Sequence, residues 1–459
     1  FTILICMLTL KGLAVADVLQ VPSDYPTIQG AIDAASSGDT ISIAAGTYNE
    51  YELNPGGKAI TIQGTLNNNG SLATIINPFL AGRVFALGLG EGPDTLIKDL
   101  VITGGFDGYG GGIHCDDSSP TITGCTIEGN SAYEGGGIYC ENSSPTITAC
   151  ILESNTSIGK FGYGGGMFCN NSTPTITDCV FRNNISGNGG GLYNQNSSPS
   201  LDGCTFEGNI ADDEMGYGWG GGLTNWDNSD PVLDGCRFIS NQADSDGGGM
   251  INDGDADPSI INCEFLSNTA VRGGGHYSMA DSGGTFVGCS FIGNTAEHGG
   301  GFHASSSSSI ELTGCTFTNN NASETGGGFH NDNGDSTIED CSFIGNSARA
   351  GAGFSSSSGN PYLEDCLFDQ NTATDYGAGI YLYDFDFSTV ENCILTNNVA
   401  NRGTAIYCNS SNAQIRECVI QGNTGTSSAA GIYCINGGSP VIRDCQVIDN
   451  QALRATGIR

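Results

Sequence analysis

The chain has 459 residues with 72 Gly but only 13 Pro, so glycine stands at about twice its usual share while Gly plus Pro stays below the low-complexity range. An ordered repeat, not a disordered tract, follows. Lys and Arg number 14 against 49 Asp and Glu, a net charge of −35, which repels nucleic acid and anionic membrane surfaces and favours cations as companions.

In chain order, residues 1–16 form a short apolar run ending Ala14-Val15-Ala16, the small-residue pattern at which a signal peptidase cuts, so export with Asp17 as the mature start is expected. The run is too short to span a bilayer, and no later stretch reaches the ~18 apolar residues that a transmembrane helix needs. Residues 17–58 read as an N-terminal cap. Within it DYPTIQGAIDAASSGD (24–39) places Ile28, Ala31, Ile32 and Ala35 on one helical face, with Pro26 in the first turn. Thr40–Ile43, Ile60–Gln63 and Leu96–Thr103 then read as the first coils, with Leu100 where later coils carry Cys. The chain lacks an initiator Met, and its last residues, TGIR, resemble the start of another repeat. A fragment at both ends is therefore expected.

Residues 59–459 are governed by a period. Thirteen cysteines from Cys125 to Cys445 recur about every 26 residues, and an Asn stands five residues after each one, from Asn130 to Asn450. Three residues before the Cys is an apolar side chain (Ile122, Ile147, Ile176, Leu201), two after it is Ile, Leu, Val or Phe, and thirteen to sixteen before it is a glycine cluster. Such short alternating segments predict three strands per coil, stacked as a parallel β-helix at ~4.8 Å per coil. The Cys and Ile/Phe columns should face inward. The Asn column should mark a corner, taking a left-handed backbone while its amides bond from coil to coil. A second Cys column (Cys115, Cys140, Cys169, Cys408, Cys434) should also face inward. In-register β-carbons would stand a coil apart, beyond the ~3.8 Å of a disulfide, so buried thiols acting as small hydrophobes are expected. No C-x-x-C occurs, which excludes zinc-ribbon and thioredoxin-type chemistry.

The stretch VPSDYPTIQGAIDAASSGDT, followed by coils of GGG-[ILMF]-Y and C-x-F-x-x-N, resembles the pectate-lyase-like right-handed β-helix proteins. The paired GGG-I and F-x-x-N motifs are similar to the repeats of chlamydial polymorphic outer-membrane proteins. The resemblance covers residues 17–459 and implies an all-β, right-handed parallel β-helix, a solenoid with an N-terminal capping helix. Activity stays open, because such helices carry lyases, hydrolases, epimerases, adhesins and passenger domains alike.

Three groups of residues are candidates for function. The first lies two residues past each glycine triplet, a position that alternation turns outward; ten of its thirteen members are aromatic or His, including Tyr139, Phe168, Tyr193, Tyr277, His303 and His330. The column just before the glycines borders the same face, with Tyr109, Tyr163 and Trp219 in every second coil, and the longest loops, 157–163 and 211–219, precede two of them. Aromatic faces on a rigid scaffold suit sugar rings, the glycines beside them leave backbone open to approach, and the surrounding carboxylates favour neutral or cation-bridged glycans. The plain structural alternative is a stack that only holds the sheet together. The second group is Asp246, Arg272 and His298 in three successive coils, where Arg can hold a sugar carboxylate and Asp and His can exchange protons. Solvated turn charges are the alternative. Neither the calcium cluster with an Arg base of pectate lyases nor the paired Asp motifs of polygalacturonases can be matched here. The third is NDGDADP, with Asp253, Asp255 and Asp257 at alternate positions near Asp227 and Asp230, a set of hard oxygens that calcium would favour, without the offsets of an EF-hand.

Two functions follow. One is a secreted or cell-surface scaffold, structural or adhesin-like, that binds a polysaccharide or a surface or matrix component without chemistry and needs no cofactor, calcium apart. The other is a polysaccharide lyase or hydrolase of pectate-lyase type. A cleft of converging loops around Asp246, Arg272 and His298 would mark the enzyme, and a flat face the scaffold.

Overall fold

The structure, a computed structural model, describes residues 16–159, 161–213, 215–279, 281–305, 308–384 and 386–459; the expected leader lies, but for Ala16, outside them. Each regular coil contributes four short strands, not three. In one coil they are Thr121–Thr123, Thr126–Glu128, Ser131–Glu134 and Ile138–Glu141. The strand missed in the sequence lies just before the glycines and is as short as two residues in Thr156–Ser157, too short to show an alternation. Every strand pairs in parallel with its counterparts one coil away, so that Ile122 aligns with Ile97 and Ile147, and Cys140 with Cys115 and Cys169. The stacks form sheets of 17, 16 and 14 strands, while the strands that precede the glycines form two runs of six and seven.

Because register is kept from coil to coil in the three large sheets, like side chains meet like. Phe181, Phe206, Phe238, Phe265, Phe291, Phe317, Phe343 and Phe368 form one buried stack with ring centroids 4.7–4.8 Å apart, the spacing of strands within a sheet. The Asn column is a continuous ladder. Asn294 Nδ2 donates to Asn320 Oδ1 at 3.0 Å and to the Phe265 carbonyl at 2.8 Å, while its Oδ1 accepts from Asn268. Its backbone is not left-handed, contrary to expectation. The positive φ falls one residue earlier, at Gly129, Ser154, Asn183 and Gly208, and again just before the Cys, at Gly124, Ala149, Asp178 and Gly203. The ladder Asn is thereby freed to turn inward, where its amide closes orphan carbonyls that the bend would otherwise leave unpaired.

No disulfide joins any of the 18 described cysteines. The thiols of the column from Cys125 to Cys445 donate to carbonyls one coil back, as Cys150 Sγ does to Ile122 O at 3.7 Å, so each acts as a small hydrophobe with a weak donor. The glycine triplets have an internal cause. A Cβ on Gly166 would stand 2.5 Å from Gly191 O, and one on Gly165 would stand 2.6 Å from both Gly190 O and Ile185 O. Coil-to-coil contact therefore crowds any side chain there, although Ala352, Ala378 and Ala405 fill the same columns in later coils.

At the N-terminal end helix α1 (Ile28–Ala34) buries Ile28, Ala31 and Ile32 in the main core beside the strands Val18–Val21 and Thr40–Ile43. Its cap is Thr27, which accepts from Gly30 N, and Glu50 accepts from Ile28 N and Gln29 N. Pro26 therefore precedes the cap, outside the first turn, because a side-chain oxygen at position 27 can satisfy an amide that proline cannot. Leu100 is buried, and its carbonyl accepts from Thr126 as Cys125 O does from Ile151, which puts it in the Cys column. Among the described residues no helix is long and apolar enough to cross a membrane.

Candidate functional site

The outward column is covered rather than open. Tyr139, Phe168, Tyr193, Tyr277, His303 and His330 are each at most 5% exposed, yet Tyr139, Phe168 and Tyr193 form a cluster separate from the main core. The cause is the turn at the first glycine of each triplet, whose φ near +60° (Gly135, Gly164, Gly189) folds the preceding column back over the strand. Tyr109 lies 5.0 Å from Tyr139, Tyr163 lies 4.8 Å from Tyr193, the Arg272 guanidinium sits 5.2 Å over Tyr277, and His298 is 5.6 Å from His330. Alternation assigns these side chains their side of the sheet but says nothing of what lies upon it.

One place along this face opens into a cavity of about 580 Å³, lined by Phe161, Tyr163, Asn188, Tyr193, Gln195, Asp213, Met215, Tyr217, Trp219 and Trp226. The two long loops build it. Gly162 and Gly218 close the loop necks, for a Cβ would stand 2.6 Å from Ser157 Oγ at one and 2.2 Å from Ala211 O at the other. Asp213, buried, accepts from Met215 N at 2.9 Å and Tyr217 N at 2.8 Å, which holds the second loop in a turn. Asn188 Oδ1 accepts from Trp219 N at 3.2 Å, and Tyr163 and Trp219 stand two coils apart with Asn188 between them. The indoles of Trp219 and Trp226 stack at 5.7 Å with 15° between planes. Phe161, Met215 and Tyr217 are more than half exposed at the rim.

Of the proposed binding residues, Tyr163, Tyr193 and Trp219 therefore share one cleft, whereas Tyr109, Tyr139, Phe168, Tyr277, His303 and His330 lie elsewhere along the stack. Trp226 was missed in the sequence. It aligns with Gln195 and Asp253 in a column whose other members include Glu141 and Asn170, so a lone indole among polar residues was the available signal.

Asp246, Arg272 and His298 do fall together in successive coils. Arg272 grips both oxygens of Asp246 at 2.7 Å, and Asp246 is 1% exposed, so this carboxylate is spent on an ion pair. His298 Nδ1 lies 2.8 Å from Thr325 Oγ1. The acidic turn does not converge. Asp253 Oδ1 accepts from its neighbour Gly254 N, Asp257 Oδ1 accepts from Gly283 N at 2.7 Å, and Asp255 takes a left-handed backbone. Burial pushes Asp253 up to about 6, with Asp227 and Asp246 adding to it. Among the described residues no three His, Cys, Asp or Glu gather closely enough to hold a metal ion.

Among solved structures, the chain is similar to the A-module of an Azotobacter vinelandii mannuronan C-5 epimerase, at 11% identity over 94% of this chain and 93% of that one, with a TM-score of 0.22. A mannuronic acid specific polysaccharide family 6 lyase from human gut microbiota matches at 11% identity over 95% and 83%, TM-score 0.26. The receptor binding domain of the Siphovirus 9NA tailspike matches at 11% over 96% and 76%, TM-score 0.19. No curated protein matches the sequence, and the likeness to chlamydial outer-membrane repeats stays one of short motifs. The profile described as "Right handed beta helix region" matches residues 65–238, 111–290, 249–407 and 366–458, nearly the whole array, and the chain belongs to that family.

Proposed function

We propose that this protein is an exported β-helix scaffold that binds a polysaccharide in the cleft between loops 157–163 and 211–219 and does no chemistry on it. The observation that carries this reading is the cavity itself. At about 580 Å³ it falls within the ~300–1,000 Å³ of ordinary ligand sites, and six of its ten lining side chains are aromatic. Aromatic planes offer rigid apolar area to sugar rings at little cost in side-chain freedom, while Asn188 and Gln195 can orient hydroxyl groups. The candidate acid–base set supports a binder over a lyase, because Asp246 is neutralised by Arg272 and does not line this cleft.

Trp219 and Trp226 are the chain's two tryptophans, so intrinsic fluorescence reads this cleft directly. Titration with neutral, acidic and amino oligosaccharides should give a saturable change with at least one of them, and incubation with the parent polymers should yield neither new reducing ends nor unsaturated products. A flat fluorescence response throughout would remove the binding reading, and product formation would replace it with catalysis.

A further inference from the structure

We infer that the glycan taken here is a straight, two-fold-extended chain of 1,4-β-linked hexopyranose rings, laid along the solenoid axis with alternate rings stacked on Trp219, Tyr163 and, outside the cleft, Tyr109. This rests on the cleft being a glycan site, and it fixes the linkage and the direction of the chain that the site takes. The column just before the glycines runs in register as Tyr109, Glu134, Tyr163, Asn188 and Trp219, aromatic and polar by turns. Beyond Trp219 it passes to Asp246, held by Arg272, and the alternation ends. Each ring of the column is backed by another: Tyr109 by Tyr139 at 5.0 Å, Tyr163 by Tyr193 at 4.8 Å and Trp219 by Trp226 at 5.7 Å. Tyr109 is still 47% exposed, and Tyr163 and Trp219 are half-buried.

Packing alone does not call for such alternation. The inner column has rings in successive coils, His114, Tyr139, Phe168 and Tyr193, each 5.3 Å from the next, which is the contact that stacking within a sheet rewards. The outer rings instead recur every second coil, about 10 Å apart at ~4.8 Å per coil. In a two-fold 1,4-β-linked chain each ring is turned half a revolution from the last and advances by little more than one coil. Like faces therefore recur every second ring, at nearly the spacing of the outer aromatics. The rings between meet Glu134 and Asn188, whose polar heads suit hydroxyl groups. A 1,4-α- or 1,3-β-linked chain curls, and its later rings leave the line of the column.

The test is tryptophan fluorescence titration with 1,4-β-linked oligomers of glucose, mannose, N-acetylglucosamine and mannuronate, and with 1,4-α- and 1,3-β-linked glucose oligomers, each as trisaccharide and hexasaccharide. A trisaccharide spans Trp219 to Tyr163, and reaching Tyr109 takes two rings more. At least one 1,4-β-linked series should therefore bind about tenfold or more tightly as the hexasaccharide than as the trisaccharide, and neither of the other linkages should show that gain. Tyr109→Ala should cut the gain to the roughly threefold that extra binding registers supply, and Tyr109→Trp should keep it. No gain with length, the full gain in Tyr109→Ala, or an equal gain in the 1,4-α- or 1,3-β-linked series would overturn the inferred chain and leave glycan binding standing. Binding of none of the oligomers would overturn both.

Discussion

Single side chains in this protein are repeated so faithfully that each answers to a neighbour of its own kind. Asn294 makes two donations and accepts from Asn268, so Asn294→Ala strands buried backbone and amide groups. Urea unfolding should show a loss of roughly 1–3 kcal/mol, while a substitution without effect would mean the ladder is decorative. His276 is the reverse case, a polar ring where neighbouring coils place Met250 and Phe302. It is fully buried with Nδ1 unpartnered, and burial lowers it to about 3 from an ordinary 6.5. Between those values the unfolded chain binds the proton more readily, so the stability His276 allows is full above about pH 6.5 and declines as pH falls toward 3. Asp253 and Asp386, raised to about 6, act in the opposite sense, so the comparison must be with a variant. His276→Phe should lose less melting temperature between pH 7 and pH 4 than the parent does; parallel pH profiles would contradict the assignment.

At the scale of strands and turns, the glycine triplets mark where coils touch. Gly166→Ala sets a methyl 2.5 Å from Gly191 O, whereas a Cβ on Gly92 meets nothing within 4 Å. The first should cost about 1–3 kcal/mol by overpacking and the second almost nothing, and equal thermal stabilities would refute the packing cause. The period made the Cys, Phe and Asn columns legible in the sequence, since each position repeats under one constraint. The burial of Tyr139 and Tyr193 was not legible, because it depends on a left-handed turn at Gly135 and Gly189 that brings another column over them. The long loops were legible as insertions. Their joint enclosure of a cavity, with Trp226 and Asp213 in its wall, depends on coil stacking, which no local pattern encodes.

Across the whole molecule, the solenoid offers one nearly uniform face interrupted where two insertions, separated by a single short-looped coil, lean over the same aromatic wall. A uniform face has no means of choosing a place along its length; the insertions supply one. On the proposed reading, the net charge of −35 disfavours polyanions at that place and ring faces and hydrogen bonds do the recognising. Tyr163 and Trp219 stand at the centre of this arrangement and are half-buried rather than core residues. Calorimetric titration of the parent and the Tyr163→Ala/Trp219→Ala variant with the best-bound oligosaccharide therefore tests glycan binding in the cleft most directly. The variant should keep its cooperative unfolding and bind at least tenfold more weakly, about 1.4 kcal/mol; unchanged affinity in a folded variant would contradict a binding role for this cleft.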